Sequence, residues 1–191
     1  MEKQISSGSW NKTNFLNKRV CGLWLIWVSL VIFAGLMAGG KQLIMMPFFS
    51  FGYVIGIFGI LANKALSRRL SYGKPTTRQN RMLFFSILLM FVLMVLIGGP
   101  HFADENYRLV WLGAFLAIGI HFIPMAWVHG PSMFVLAVLL IADALLGMLD
   151  SSLNFRLIAY IDIGVKLLFG IYLLSTGKPI NKKQAETPLT H

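Results

Sequence analysis

Residues Met133–Thr176 read MFVLAVLLIADALLGMLDSSLNFRLIAYIDIGVKLLFGIYLLST: two apolar runs joined by the polar turn Asp150 to Asn154, with Asp143, Asp162 and Lys166 set inside them. A bilayer's hydrocarbon core is about 30 Å thick and a helix rises about 1.5 Å per residue, so each run is long enough to cross it. Charges in such runs would sit in hydrocarbon unless protein or water shields them. Asp162 and Lys166 supply part of the answer, because residues four apart share a helix face and a carboxylate N-terminal to an ammonium is the favoured order. Asp143 has no such neighbour in its own run.

Working outward, the whole chain repeats the pattern. It has 191 residues, of which 57% are apolar and only 13% charged, against about half and about a quarter in a soluble domain. Mean hydropathy is +0.71. The fold class is therefore all-α, a polytopic transmembrane helix bundle. Six spans of about 20 residues use roughly 120 residues and leave the rest for loops and tails. A net charge of +10 would suit nucleic acid only on a soluble basic face. Here the cations flank apolar runs, so the partner they imply is the lipid bilayer and not nucleic acid. Cys21 is the single cysteine. An intrachain disulfide is excluded, and its place at the start of an apolar run reads as a buried, inert thiol.

Residues 1–19 form a polar segment too long for a signal-peptide n-region, so the first span is retained. The transmembrane domain covers 20–177, with spans at about 20–39, 43–66, 82–99, 109–128, 132–149 and 155–176. Residues 178–191 read as a disordered tail. The loop after span two carries Lys64, Arg68, Arg69, Lys74, Arg78 and Arg81, with a turn at Gly73, Lys74 and Pro75. The loop after span three, ended by Gly98, Gly99 and Pro100, holds Asp104 and Glu105. Placing both termini in the cytoplasm puts thirteen of the seventeen cations inside and leaves Lys41, Arg108 and Arg156 outside, with Lys166 in a span. This is the positive-inside pattern of a multi-pass cell-membrane protein. Two sets of three spans would enter from opposite sides, the geometry of an inverted repeat, and Arg19–Gly39 and Arg108–Val128 each begin with an arginine.

Counting along the helices from Gly130 and Gly177 places His121, Lys166, Asp143 and Asp162 roughly 13, 16, 19 and 22 Å deep, within a band of roughly 10 Å around the midplane. These four are the candidate binding or proton-relay residues. On helical angles Asp143 shares a side with Leu136, Leu139, Leu140, Leu146 and Gly147, and Asp162 and Lys166 with Ile158, Ala159 and Phe169. His121 lies three residues before Pro124, where the missing amide leaves a carbonyl open to a new partner. His129, at the membrane edge, reads as an interfacial or capping residue.

Other chemistries lack their residues. His121 and His129 are eight apart instead of the four that bring two imidazoles to one metal, so no metal site is expected. There is no phosphate-binding glycine loop and no cofactor motif. No catalytic residue is assigned, and the expectation is a protein that is not an enzyme; an intramembrane enzyme, with Ser29, Ser50 or Ser86 in a span to pair with a histidine, is the minor alternative, and no motif supports it. The run His121, Phe122, Ile123, Pro124 with His129, Gly130, Pro131, together with six short-looped spans, resembles small bacterial integral membrane proteins whose function is uncharacterised. What that resemblance implies is location. The leading functional expectation is a small transporter or proton-linked permease with a midplane polar site. The alternative is a non-catalytic bundle or accessory subunit, in which Gly35, Gly39, Gly52 and Gly56 form small-residue faces for self-association or a membrane partner. Neither reading names a substrate.

Overall fold

The protein, described by a computed structural model over residues 15–71 and 75–176, is built of helices with no strand among the described residues. The polar segment before Phe15, the Gly73–Lys74 turn and the tail beyond Thr176 lie outside them. The α-helices are α1 (Lys18–Ala38), α2 (Met46–Gly56), α3 (Lys64–Leu70), α4 (Thr77–Leu93), α5 (Tyr107–His129), α6 (Ser132–Leu149) and α7 (Phe155–Thr176). Five spans are long and apolar enough to cross a membrane, α4 being prolonged to Phe102 for this purpose. The stretch Met46–Leu61 meets α3 at a bend of 62°.

The Met46–Leu61 stretch supplies the sixth traverse, as the loops show. Trp111 Nε1, near the start of α5, donates to Gln42 O at 2.9 Å. Lys41 pairs with Glu105 at 2.9 Å. The Arg108 guanidinium donates to Gly147 O, Asp150 O and Leu153 O at 2.8, 3.0 and 2.7 Å. The loops after α1, α4 and α6 therefore sit together, at what we call the Gln42 end. The chain leaves that end at Leu43 and must be back at the other, the Lys18 end, before α4 begins. Sixteen helical residues, roughly 24 Å at 1.5 Å each, nearly cover the distance.

Local chemistry fixes where each helix stops. Asn63 Oδ1 accepts from the amides of Ala65 and Leu66 and starts α3 afresh. Lys64–Leu66 therefore belongs to a separate helix and not to span two, where the hydropathy pattern extends it. Thr76 and Gln79 form a capping box that starts α4 at Thr77, five residues ahead of the apolar run. The far end of that span continues past Leu93 as a π-helical turn, Met94–Gly98, and a 3-10 turn, Gly99–Phe102, in which Pro100 is tolerated because it stands in the first turn. A second π-helical turn, Ile57–Leu61, follows α2. Pro124 does not break α5.

The central helix α5 is buried on nearly every side, whereas α4 hides little more than Gln79, Ser86 and Met90. Large apolar side chains line the outside, among them Phe51, Phe58, Phe84 and Leu168, each more than two-thirds exposed. Such a surface is stable only against lipid, so this is a multi-pass membrane bundle. In lipid, close backbone approach substitutes for the hydrophobic effect. A β-carbon at Gly22 of α1 would stand 2.7 Å from Gly170 O of α7, and one at Gly113 of α5 would stand 2.7 Å from the amide nitrogen of Gly98. Span one thus pairs with span six, and span four with span three, in each case through glycines near the start of one helix and the end of the other. Exchanging the two halves of the chain maps one pairing on the other. The relation fails at one place: α6 packs on α7, but spans two and three are not among the extensively paired helices.

Candidate functional site

On α7 the residues Asp162 and Lys166 are 0% and 1% exposed. Lys166 Nζ donates to both carboxylate oxygens of Asp162, at 2.7 and 2.6 Å. The i, i+4 spacing on a continuous helix makes this contact possible without distortion. Phe115 of α5 closes the other side of the ammonium, with its ring centroid 5.2 Å from Nζ, a cation–π contact whose strength rises away from water. Phe115 is held in turn by stacking on Phe155.

Asp143 stands on α6, which packs on α7. It is buried and lies within electrostatic range of both Asp162 and Lys166. Its Oδ2 has no hydrogen-bond partner among the described residues. The side of α6 that carries it inward is Leu136, Ala137, Leu140, Ala144 and Gly147. Leu139 and Leu146 were expected on that side, but they are 43% and 58% exposed. The 100° step of the helix puts them at the edge of the stripe, where lipid replaces protein.

His121 is buried on α5, close enough to feel the charge of Lys166 but not bonded to it. Its Nδ1 meets Ile118 O on its own helix. A carbonyl only accepts, so Nδ1 carries the proton and Nε2 is the ring's remaining polar atom. His121 O accepts from Ser86 Oγ of α4 at 2.7 Å, tying the two helices at the level of the site. The ring lines a cavity of about 360 Å³ that also touches α1, α2 and α4. The structure therefore brings Asp143, Asp162 and Lys166 into one cluster and places His121 beside it, facing a cleft.

Two contributors escape a reading of the sequence. Nothing in the spacing links Phe115 to Lys166, since the contact depends on how α5 and α7 cross. His129 lines the same cavity as His121. Its burial, at 6% exposed, differs from the interfacial or capping place that its position at the end of the span predicts. Gly35, Gly39, Gly52 and Gly56 are each approached from within the chain, by Ile44, Leu43, Val31 and Trp27 respectively. No group of three or more metal-ligating side chains is found among the described residues.

Searches among curated proteins and among solved structures find no match to the chain. Residues 9–183 match a protein family described as "Family of unknown function (DUF6609)". That segment holds all six traverses, the buried charge cluster and the cleft, and the chain belongs to this family.

Proposed function

We propose that the protein is a small proton-linked transporter of the cell membrane, with both termini in the cytoplasm. The observation that carries the reading is the unpartnered Asp143 oxygen beside a fully buried Asp162–Lys166 pair. Two carboxyls and one ammonium balance to zero charge only when the carboxyls hold one proton between them. On this reading the cluster is built around one exchangeable proton, and the transport cycle moves Lys166 from Asp162 to Asp143 with the number of ion pairs unchanged. Two such arrangements are what a substrate or a proton gradient would bias. His121 connects the cluster to the cleft as a binding or relay group. No residue is given a catalytic role.

The test is proton entry into proteoliposomes under an imposed gradient, read by an internal pH dye while amino acids, sugars and inorganic cations are supplied outside in turn. Wild type should show proton flux dependent on at least one solute. Asp143→Asn, which keeps size and hydrogen-bonding capacity, should insert normally and lose that flux. Absence of any solute-dependent flux from wild type, or unchanged flux in Asp143→Asn, overturns the proposal.

The competing reading, a non-catalytic bundle or accessory subunit, draws on the bidentate closure of Asp162 on Lys166, which leaves that pair satisfied without any ligand. In that case Asp143→Asn changes neither stability nor any flux.

A further inference from the structure

The gap between spans two and three is occupied by two cavities. One, of about 460 Å³, lies toward the Gln42 end over Trp111 and Ala114; the other is the 360 Å³ cavity that holds His121. Phe91 lines both and is half-exposed, so the two cavities follow one another along the seam between spans two and three and border the lipid-facing surface there. Each volume lies within the range of about 300–1,000 Å³ that ligand sites occupy. The walls are apolar along most of the length. At the Lys18 end they turn polar, with Asn17, Ser67 and His129.

His129 is only 6% exposed, and its Nδ1 has no hydrogen-bond partner among the described residues. A polar atom buried without a partner costs free energy unless a ligand or water satisfies it. The ammonium of Lys18 lies within electrostatic range of the same imidazole. Around this mouth α3 exposes Lys64, Arg68 and Arg69, and the first turns of α4 bring Arg78 and Arg81. Among the described residues the acidic side chains lie at the Gln42 end or inside α6 and α7, and none faces this mouth.

We propose that the cleft holds an anionic lipid: an acyl chain lies between spans two and three, and an acidic headgroup oxygen accepts from His129 Nδ1 beside Lys18. Apolar walls that meet surrounding hydrocarbon suit a chain already dissolved there, and the cationic mouth selects the sign of the head. Occupancy of the cleft requires no transport, so although His121 lines the same cavity the lipid site is tested independently of the function proposed above.

The test uses the full chain in phosphatidylcholine vesicles containing a minor fraction of phosphatidylglycerol, with brominated acyl chains on one lipid or the other. Single-tryptophan proteins keep either Trp24, which lines the cleft, or Trp127, which is half-exposed on α5. At equal mole fraction, brominated phosphatidylglycerol should quench Trp24 several-fold more than brominated phosphatidylcholine, and quench Trp127 about equally. His129→Ala and Lys18→Gln should each reduce the preference at Trp24. Native mass spectrometry of delipidated protein, with all tryptophans intact, should show phosphatidylglycerol retained over phosphatidylcholine and lost in the same two variants. Equal quenching of Trp24 by both lipids, or an equal preference at Trp127, overturns the proposal. So does retention unaffected by both substitutions, or displacement of the lipid signal by inorganic phosphate alone.

Discussion

A single buried ammonium, that of Lys166, has its hydrogen bonds directed to one carboxylate and its open side against an aromatic ring. Removing either member of such a pair strands the other, a loss of about 3–5 kcal/mol, whereas removing both spares that cost. Asp162→Asn and Lys166→Gln should each lower the thermal midpoint and folded yield in detergent, and the double variant should recover much of both. Equal damage from all three would mean that the residues do not support each other. The turn at Asp150 gives a pH-dependent counterpart outside the membrane. The Ser152 hydroxyl and amide both donate to Asp150 Oδ1 and hold its carboxyl below the usual carboxylate range, helped by the nearby Arg108. A lowered folded value favours the folded state above the unfolded value of about 3.9, and that contribution disappears as pH falls through the folded value. Ser152→Ala should therefore be less stable than wild type near neutral pH and should converge with it in strong acid. A gap that persists at the acid limit would assign the loss to packing. The Asp162–Lys166 contact was legible in the sequence because it lies within one helix, where spacing is geometry. The roles of Phe115 and His129 were not, because they depend on which faces of different helices meet.

Helices show the same division between local and tertiary information. Spans five and six begin and end where hydropathy places them, since sharp polar turns bound both. Spans two and three do not, because caps and π-helical turns override the apolar pattern. Thr76→Ala removes the hydroxyl that accepts from Gln79 N and should cost about 1 kcal/mol, read as lower stability with the amides of the first turn of α4 exchanging faster. Protection unchanged in that turn would show that packing, and not the cap, starts the helix. Between helices the glycines dictate approach. At Gly22 any β-carbon would press on the α7 backbone, which cannot retreat as a flexible side chain would. Gly22→Leu should split α1 from α7 and lower the thermal midpoint sharply, while Gly59→Leu, which meets nothing within 4 Å, should not. Equal effects would mean that the α1–α7 contact is not limiting.

At the scale of the molecule, the membrane class followed from composition alone, and the six traverses from apolar runs checked by which loops share an end. The orientation rests on the cation bias, and reporter fusions decide it: insertions within 67–80 and after Lys183 should report cytoplasm, and one within 102–107 should not. A cytoplasmic signal from the last would overturn the six-span reading. The cleft could not be foreseen, because it exists through a missing pairing, and hydropathy does not record which apolar faces stay apart. The pairing that is present between the first and last helices sets a clock on biogenesis. Gly22 and Gly170 are separated by nearly the whole chain, so α1 leaves the ribosome long before its partner is made. At about 5–20 residues per second the wait is roughly 7–30 s. Throughout that time the bare face of α1 must be sheltered by lipid or by the insertion machinery, and a chain cut short before α7 would expose it permanently to quality control.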